Sequence, residues 1–353
     1  MGQARSDYIP TLTGIRALAA LLVLVLHANQ NFPSLTVGGL RFVHYGYLGV
    51  DLFFVLSGFV IAHVYMRHVG RALRVFIWHR FIRLWPAHAA VLAVLVVLVL
   101  VAGRAGFKFN EPQAWEFADL PAHVLMLHAW GLVGHAGWNG PSWSISAEWF
   151  AYLCFPFIAW GLTRVRPIVA GIIGVFALAA LALVFDAAGW QIKFAWLGLP
   201  AFTRVLTEFV CGACLYRAIA GTKLKADWIG LAALAAFFVA GSLQAPDIVL
   251  IATFPAMLAG AYWAGPIVGA ILSARPIEWL GEISYSLYLV HFPLFLVLRR
   301  ATDALNLRGF LAFAIAMALA VCAAAILFYA VERPARRRLR DFAGPIPSMA
   351  RTR

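Results

Sequence analysis

The sequence predicts an all-α, polytopic membrane bundle of about ten transmembrane helices, and three observations carry that expectation. First, 63% of the 353 residues are hydrophobic and 12% are charged, about half the charged fraction of a soluble domain. Second, the apolar residues fall in long runs near the ~20 residues a helical span requires, without the short alternating segments of a β-barrel. Third, the arginines and lysines are distributed unevenly between successive connecting segments.

Ten spans are expected, near residues 12–29, 47–66, 83–102, 143–162, 167–186, 201–219, 227–243, 248–270, 281–298 and 309–330. With the N-terminus in the cytoplasm, the inner segments collect Arg67, Arg74, Arg80, Arg83, Arg164, Arg166, Arg217 and the tail from Arg333 to Arg340. The outer segments collect roughly half as many cations, among them Arg41, Arg104, Lys193, Arg204 and Arg308, and positive charge marks the cytoplasmic side. An even count returns the C-terminus to the same side. The expected division is one membrane domain over 1–340 and a basic, disordered cytoplasmic tail over 341–353. The longest outer segment, 103–142, contains an apolar piece from Leu120 to Leu132, expected to be re-entrant or interfacial because non-helical backbone at membrane depth needs cover.

The net charge of +13 reports topology and anionic lipid contact, not nucleic acid binding. Cys211 and Cys214 form a C-x-x-C in an apolar run with no second pair, so they are expected to be packing residues. No cleavable signal peptide is evident, since Arg16 interrupts the first apolar run. His44, His123, His128 and His135 are expected to be interfacial, and no metal site is expected.

The informative residues are polar groups inside the spans, because such groups are costly in lipid and face protein-lined cavities. Arg16 and His27 in the first span are eleven helical steps apart. That is roughly 16 Å of rise and about 20° past three turns, so both project from one face. Arg16 reads as an anion anchor and His27 as a proton-handling group. Asp51, at the start of the second span, has two readings: an acid favoured at a helix N-terminus, or a partner that orients His27. Arg80 and Arg83, three residues apart, share a face. They are either snorkelling boundary cations or a phosphate clamp. Glu148 follows none of Ser142, Ser144 or Ser146 at capping-box spacing and is flanked by Trp149-Phe150, so it is expected to be buried and functional, in the outer half near His27 and Asp51. His291 lies near mid-membrane with Tyr288 on a similar face.

Taken together, Arg16–His27, Gly49-Val50-Asp51-Leu52-Phe53-Phe54-Val55-Leu56-Ser57-Gly58-Phe59, Arg80-Phe81-Ile82-Arg83, Trp143-Ser144-Ile145-Ser146-Ala147-Glu148 and the Ser284–His291 stretch resemble the membrane acyltransferase 3 family, in order and across nearly the whole chain. Ala147 stands where valine is more usual. The resemblance implies O-acylation of sugars or other hydroxylated acceptors, with acyl-CoA, most often acetyl-CoA, as co-substrate and no permanently bound cofactor. It implies the stand-alone type, without an appended hydrolase-like domain, in a bacterial-type cytoplasmic membrane. The expected roles are catalysis for His27, Glu148 and Asp51, and acyl-CoA binding for Arg16, Arg80 and Arg83. Asn139, Trp143, Ser144, Tyr288 and His291 are expected to contact the acceptor. The competing reading is a proton-coupled transporter or flippase of envelope assembly, for which the repeated halves common in transporters are not seen.

Overall fold

Eight helices among the described residues are long and apolar enough to cross a membrane, and a ninth span is formed if one bent pair counts as one. The computed structural model describes residues 8–68, 70, 72–106, 111–222, 224–340 and 342; the expected disordered tail, apart from residue 342, lies outside them. Among these residues there is no strand, and the chain is a multi-pass integral membrane protein.

The long helices are α1 (Pro10–Asn31), α2 (Gly49–Tyr65), α3 (Leu73–Arg104), α4 (Trp143–Leu162), α5 (Pro167–Ala187) and α6 (Gly198–Ile219). After the shorter α7 (Asp227–Ser242) and α8 (Asp247–Ile251) come α9 (Phe254–Tyr262), α10 (Pro266–Leu272), α11 (Arg275–Ala304), α12 (Gly309–Leu327) and α13 (Arg333–Arg340). Eight of the ten expected spans are matched by long helices. The expected span 227–243 is α7, 16 residues long. The expected span 248–270 is broken, with α8–α9 and α10 bent by 100°; Pro266 at the start of α10 supplies no amide donor to continue α9. Side chains such as Phe157, Trp160, Val175, Phe176 and Leu183 are exposed on the outer faces of α4 and α5, where lipid is the solvent that tolerates them.

Close backbone approach sets the helix registers. A Cβ at Gly46 would lie 2.3 Å from the Leu22 carbonyl oxygen, and one at Gly49 would lie 2.4 Å from that of Ala19. Three steps forward on one segment match three steps back on the other, so the two run antiparallel. Continued, this register sets Asp51 opposite Ala17, well below His27. The sequence reading started the second span at residue 47 and therefore put Asp51 level with His27. In fact a 3-10 helix, Arg41–Leu48, precedes α2 and takes the upper level.

Helices α2 and α6 cross tightly. A Cβ at Gly58 would meet the Phe209 carbonyl oxygen at 1.9 Å, and one at Gly212 would meet that of Val55 at 1.8 Å. Small residues permit such contact between membrane helices. Gly212→Val is therefore expected to destabilise the protein by at least the ~1–3 kcal/mol typical of overpacking, since backbone and not a flexible side chain must move. Fluorescence-detected size exclusion after a heating series would read this as a lower melting point; an unchanged profile would contradict the crossing.

Between α3 and α4 the described residues are α-helical only over Leu120–Val124, with short 3-10 turns at Pro112–Trp115, Phe117–Asp119 and Gly140–Ser142. Beyond Val124, Met126 and Ala129 are fully buried. Ser146 of α4 donates to the Met126 carbonyl at 2.8 Å and accepts from the Ala129 amide at 3.0 Å. The irregular backbone thus has protein partners where it leaves the helical pattern, as the membrane environment demands.

Candidate active site

Arg16, Arg80 and Arg83 line one cavity of about 140 Å³, together with Ser57, Ser144, Glu148, Tyr152, Ser284, Tyr285 and Tyr288. Four of the charged residues singled out by sequence spacing, Arg16 of α1, Arg80 and Arg83 of α3 and Glu148 of α4, thus come from three helices to one chamber. Arg16 lies two turns inside α1 and donates to Ser284 Oγ of α11 at 3.1 Å. The parallel pairing of these helices is enforced lower down, where a Cβ at Gly281 would fall 1.9 Å from the Thr13 carbonyl oxygen. Arg80 of α3 donates to Tyr65 Oη at 3.2 Å and lies over the Tyr65 and Tyr152 rings, at 5.1 and 5.8 Å. Its Nε is buried without a hydrogen-bond partner.

Arg83 is ion-paired with Glu332, a residue the sequence reading passed over. Glu332 is 1% exposed and also accepts from Ser286 Oγ at 2.7 Å and from Arg336 at 3.3 Å. It occupies a single π-helical turn, Phe328–Glu332, between α12 and α13. The available signal was an acid at the end of an apolar span with an arginine four residues later.

Glu148 is in this same chamber and not on His27 as expected. Its Oε1 accepts from Ser57 Oγ and from Tyr152 Oη, both at 2.6 Å. Tyr152 is one helical turn on, and Ser57 is two turns down α2 from its start, so both partners hold the carboxylate at the depth of the arginines. Ser57 is one of its two donors.

Asp51 departs from expectation more sharply. Both its oxygens are taken by Arg204 of α6, Nε to Oδ1 at 2.7 Å and Nη2 to Oδ2 at 2.5 Å, while Arg204 Nη1 donates to the Ile192 carbonyl at 2.9 Å. Both residues are buried, as is Glu208 one turn further along α6. Arg204, counted as an outer-loop cation in the sequence, is a core residue over the Trp143 ring at 5.1 Å.

The partner of His27 is His291. Their Nδ1 and Nε2 atoms are 2.9 Å apart, with the ring planes within 15°. His291 Nδ1 lies 2.7 Å from the Tyr288 carbonyl oxygen. The cavity ends one side chain short of this pair: Tyr288 lines it, and the Tyr288 ring packs against that of His291 at 5.6 Å between centroids. Tyr288 Oη donates to the Pro141 carbonyl at 2.7 Å and accepts from Ser144 Oγ at 2.8 Å. Asn139 donates to the Leu289 carbonyl at 2.9 Å. Trp143 is buried between Phe54 and Arg204. Of the expected acceptor contacts, Ser144 and Tyr288 line the cavity, whereas Asn139, Trp143 and His291 brace the helices around it.

Two of the histidines expected at the interface are buried. His123 and His128 are fully covered and stack at 4.2 Å, with His88 5.8 Å from His128. Burial, reinforced by His88 and His135, pushes the His123 pKa down to about 3, so His123 is neutral at physiological pH. The grouping among the described residues whose donor atoms could meet on a cation is Glu116, Asp119 and His135. His135 there already pairs with Asp119 at 3.4 Å.

Comparison with known proteins adds the family. An acyltransferase domain matches residues 9–329. The acyltransferase MdmB of Streptomyces mycarofaciens is 29% identical, over 94% of this chain and 92% of its own. The peptidoglycan O-acetyltransferase OatA of Listeria monocytogenes is 23% identical over 81% of this chain and 49% of its own. The putative peptidoglycan O-acetyltransferase YrhL of Bacillus subtilis is 24% identical over 93% and 55%. The chain spans about half the length of the latter two. No solved structure matches. With the domain matched from α1 to the π-helical turn, and with the arginine chamber and the imidazole pair both inside the matched region, the chain belongs to the acyltransferase 3 family and is an integral membrane enzyme that transfers acyl groups.

Proposed function

We propose that the enzyme moves an acyl group, acetyl in the first instance, from acyl-CoA to a hydroxyl of a sugar or glycan, with His27 as the general base. The observation that carries the donor is the chamber of three arginines. Glu148 on its wall and Glu332, paired with Arg83 behind it, leave the three arginines with a surplus of positive charge, and Arg80 Nε is buried without a partner. Guanidinium groups suit phosphate through paired, charge-assisted hydrogen bonds, and a surplus cation in a low-dielectric chamber favours an anionic ligand. The termini lie on the cytoplasmic side, which puts the arginine end where acyl-CoA is made.

The acyl-pantetheine arm extends past Phe53 and Tyr288 towards His27, roughly 16 Å of helix rise from Arg16. His27 takes the proton of the acceptor hydroxyl while its oxygen attacks the thioester carbonyl. A carbon–oxygen bond forms, the carbon–sulfur bond breaks, and the thiolate of CoA receives a proton. Imidazole suits this task because its unperturbed pKa is near neutrality. The glycan acceptor rests on the names of the two O-acetyltransferases above.

The test uses purified protein in liposomes, radiolabelled acetyl-CoA, and envelope glycans from cells lacking the gene, with mass spectrometry for the new ester. Arg80→Gln is expected to raise the KM for acetyl-CoA about 10- to 100-fold, the equivalent of one charge-assisted hydrogen bond, with kcat little changed. Unaltered KM in that variant would remove the arginine chamber as the donor site. Counterflow of a solute without ester formation would favour the transporter reading instead.

A further inference from the structure

The geometry points to His291 as a positioning residue that fixes the tautomer of His27, so that the His27 Nε2 lone pair is the one presented to the acceptor hydroxyl. The inference rests on the reading of His27 as the base and specifies how that base is held.

The Tyr288 carbonyl can only accept, so His291 Nδ1, at 2.7 Å, carries a hydrogen and donates it. A neutral imidazole has one N–H, so His291 Nε2 is then bare. His27 Nδ1 lies 2.9 Å from that bare nitrogen and must supply the hydrogen of the bond. This places the single N–H of His27 on Nδ1 and leaves Nε2 with a free lone pair. The alternative assignment, with His291 Nε2 donating, requires a His291 cation that is 1% exposed. Both of its ring nitrogens are already engaged, by a carbonyl and by His27, and neither partner is an acid. A buried charge with no counter-ion is expensive, so the neutral arrangement holds.

Ring geometry agrees. The centroids are 5.0 Å apart and the planes within 15°. With the nitrogens at 2.9 Å, such a separation puts the N–H···N bond close to the line joining the ring centres, in the plane of both rings, where the lone pair lies. No other hydrogen bond engages the His27 ring among the described residues, where Asn31 donates only to the His27 backbone carbonyl, and the side chain is half-buried, not sealed. The second nitrogen therefore remains available. When it takes up a proton, the imidazolium keeps its Nδ1–H bond to His291, so no group has to reorient during the transfer.

The chain of partners also explains the residue types. The Tyr288 carbonyl is three residues before His291 on α11, so the helix itself supplies the acceptor that sets His291. Tyr288 Oη is tied to Pro141 and Ser144 at the head of α4, which holds that turn of α11. An acid in place of His291 would orient His27 equally well but would introduce a formal charge where the described contacts of the pair, with Tyr288, Phe292 and Phe295, include no arginine. The ring nitrogen used at each step is decided by the hydrogen bond made by the other.

The test is acceptor-independent. In 15N-histidine-labelled protein in lipid vesicles, solid-state NMR reads the tautomer of His27, assigned by difference from His27→Ala. The wild type is expected to show His27 protonated at Nδ1. His291→Phe keeps the ring volume but removes the acceptor, and His27 should shift to the Nε2–H form or a mixture. His291→Gln restores an amide oxygen near the position of Nε2 and should return the Nδ1–H form. In thiol-release assays with acetyl-CoA, His291→Phe should lower kcat about 10²-fold at unchanged KM, since the arginine chamber is untouched, and His291→Gln should recover most of that loss. An Nε2–H tautomer in the wild type, or a glutamine variant no better than phenylalanine in both readouts, overturns the assignment. Near-normal turnover in His27→Ala would instead overturn the choice of base, while leaving the measured tautomer standing.

Discussion

Replacing His27 with alanine is expected to lower acyl transfer by about 10²- to 10⁴-fold, the usual contribution of a positioned general base, with binding of acetyl-CoA unchanged. The separation of effects follows from the geometry. The arginines that would hold the carrier lie in the Arg16 layer of the bundle, and His27 is eleven residues up α1, outside that chamber's wall. His27 faces His291 and the edge of Phe292, so truncation removes one hydrogen bond and a half-buried ring but no arginine contact. Equilibrium binding of radiolabelled acetyl-CoA and single-turnover acyl transfer would be measured on the same preparation. Loss of both together would mean that α1 had shifted, and His27→Gln, which retains most of the volume, separates that outcome from loss of the base. Turnover near that of the wild type in both variants would sink the assignment.

The His291→Phe and His291→Gln variants, by contrast, discriminate between two ways of orienting the imidazole. Spacing along the chain favoured an acid, Asp51 or Glu148, next to His27. Each lies at the beginning of a span that descends from the outer side. What sequence spacing does not contain is the length of irregular chain that precedes a helix, or which helices are neighbours. The 3-10 turn over Arg41–Leu48 displaces Asp51 down along α1, and Glu148 is drawn to the level of Ser57 and Tyr152. His291 is 264 residues from His27, and nothing local in either segment announces that α1 and α11 run side by side. The signal that pairs them is distributed: Gly281 against Thr13 and Ser284 beside Arg16.

By contrast, the arginine cluster was legible because its members obey rules internal to one helix. Arg80 and Arg83 share a face by spacing, and Arg16 is too deep in an apolar run to be a boundary cation. The spans were legible for a similar reason, since apolar length alone specifies them. The broken segment over Asp247–Leu272 shows where that rule stops. Its composition satisfies a span, yet Pro266 and the loop before it turn the chain by 100°. Glu332 was missed because an acid followed by Arg333 and Arg336 reads as the start of a charged tail. Only the π-helical turn directs its carboxylate back onto Arg83 and Ser286.

Arg204→Leu is expected to be the most destabilising single substitution in the polar interior, at about 3–5 kcal/mol, because it removes one partner of a buried ion pair and leaves the other uncompensated. Here the loss is compounded. Arg204 makes a two-pronged contact with Asp51 and a third bond to the Ile192 carbonyl, and Glu208 is buried beside them. Without the guanidinium, two carboxyl groups face each other with no cation. Asp51→Asn is expected to be milder, since Arg204 retains Glu208 four residues along the same helix, which is within side-chain reach. The triple substitution Asp51→Asn, Arg204→Leu, Glu208→Gln removes every charge and is expected to melt above Arg204→Leu alone, because well-packed neutral groups can replace a buried charge cluster at little cost. Thermal unfolding followed by a thiol-reactive dye suits the measurement, as Cys211 and Cys214 are free, buried on α6, and close to the cluster in sequence. The order expected is wild type, then Asp51→Asn, then Arg204→Leu, with Asp51→Asn retaining measurable acyl transfer in the surviving folded fraction. If Asp51→Asn instead abolished transfer while melting like the wild type, Asp51 would have to act on the chemistry directly. The ion pair with Arg204 would then be a secondary feature of a residue whose task lay with His27.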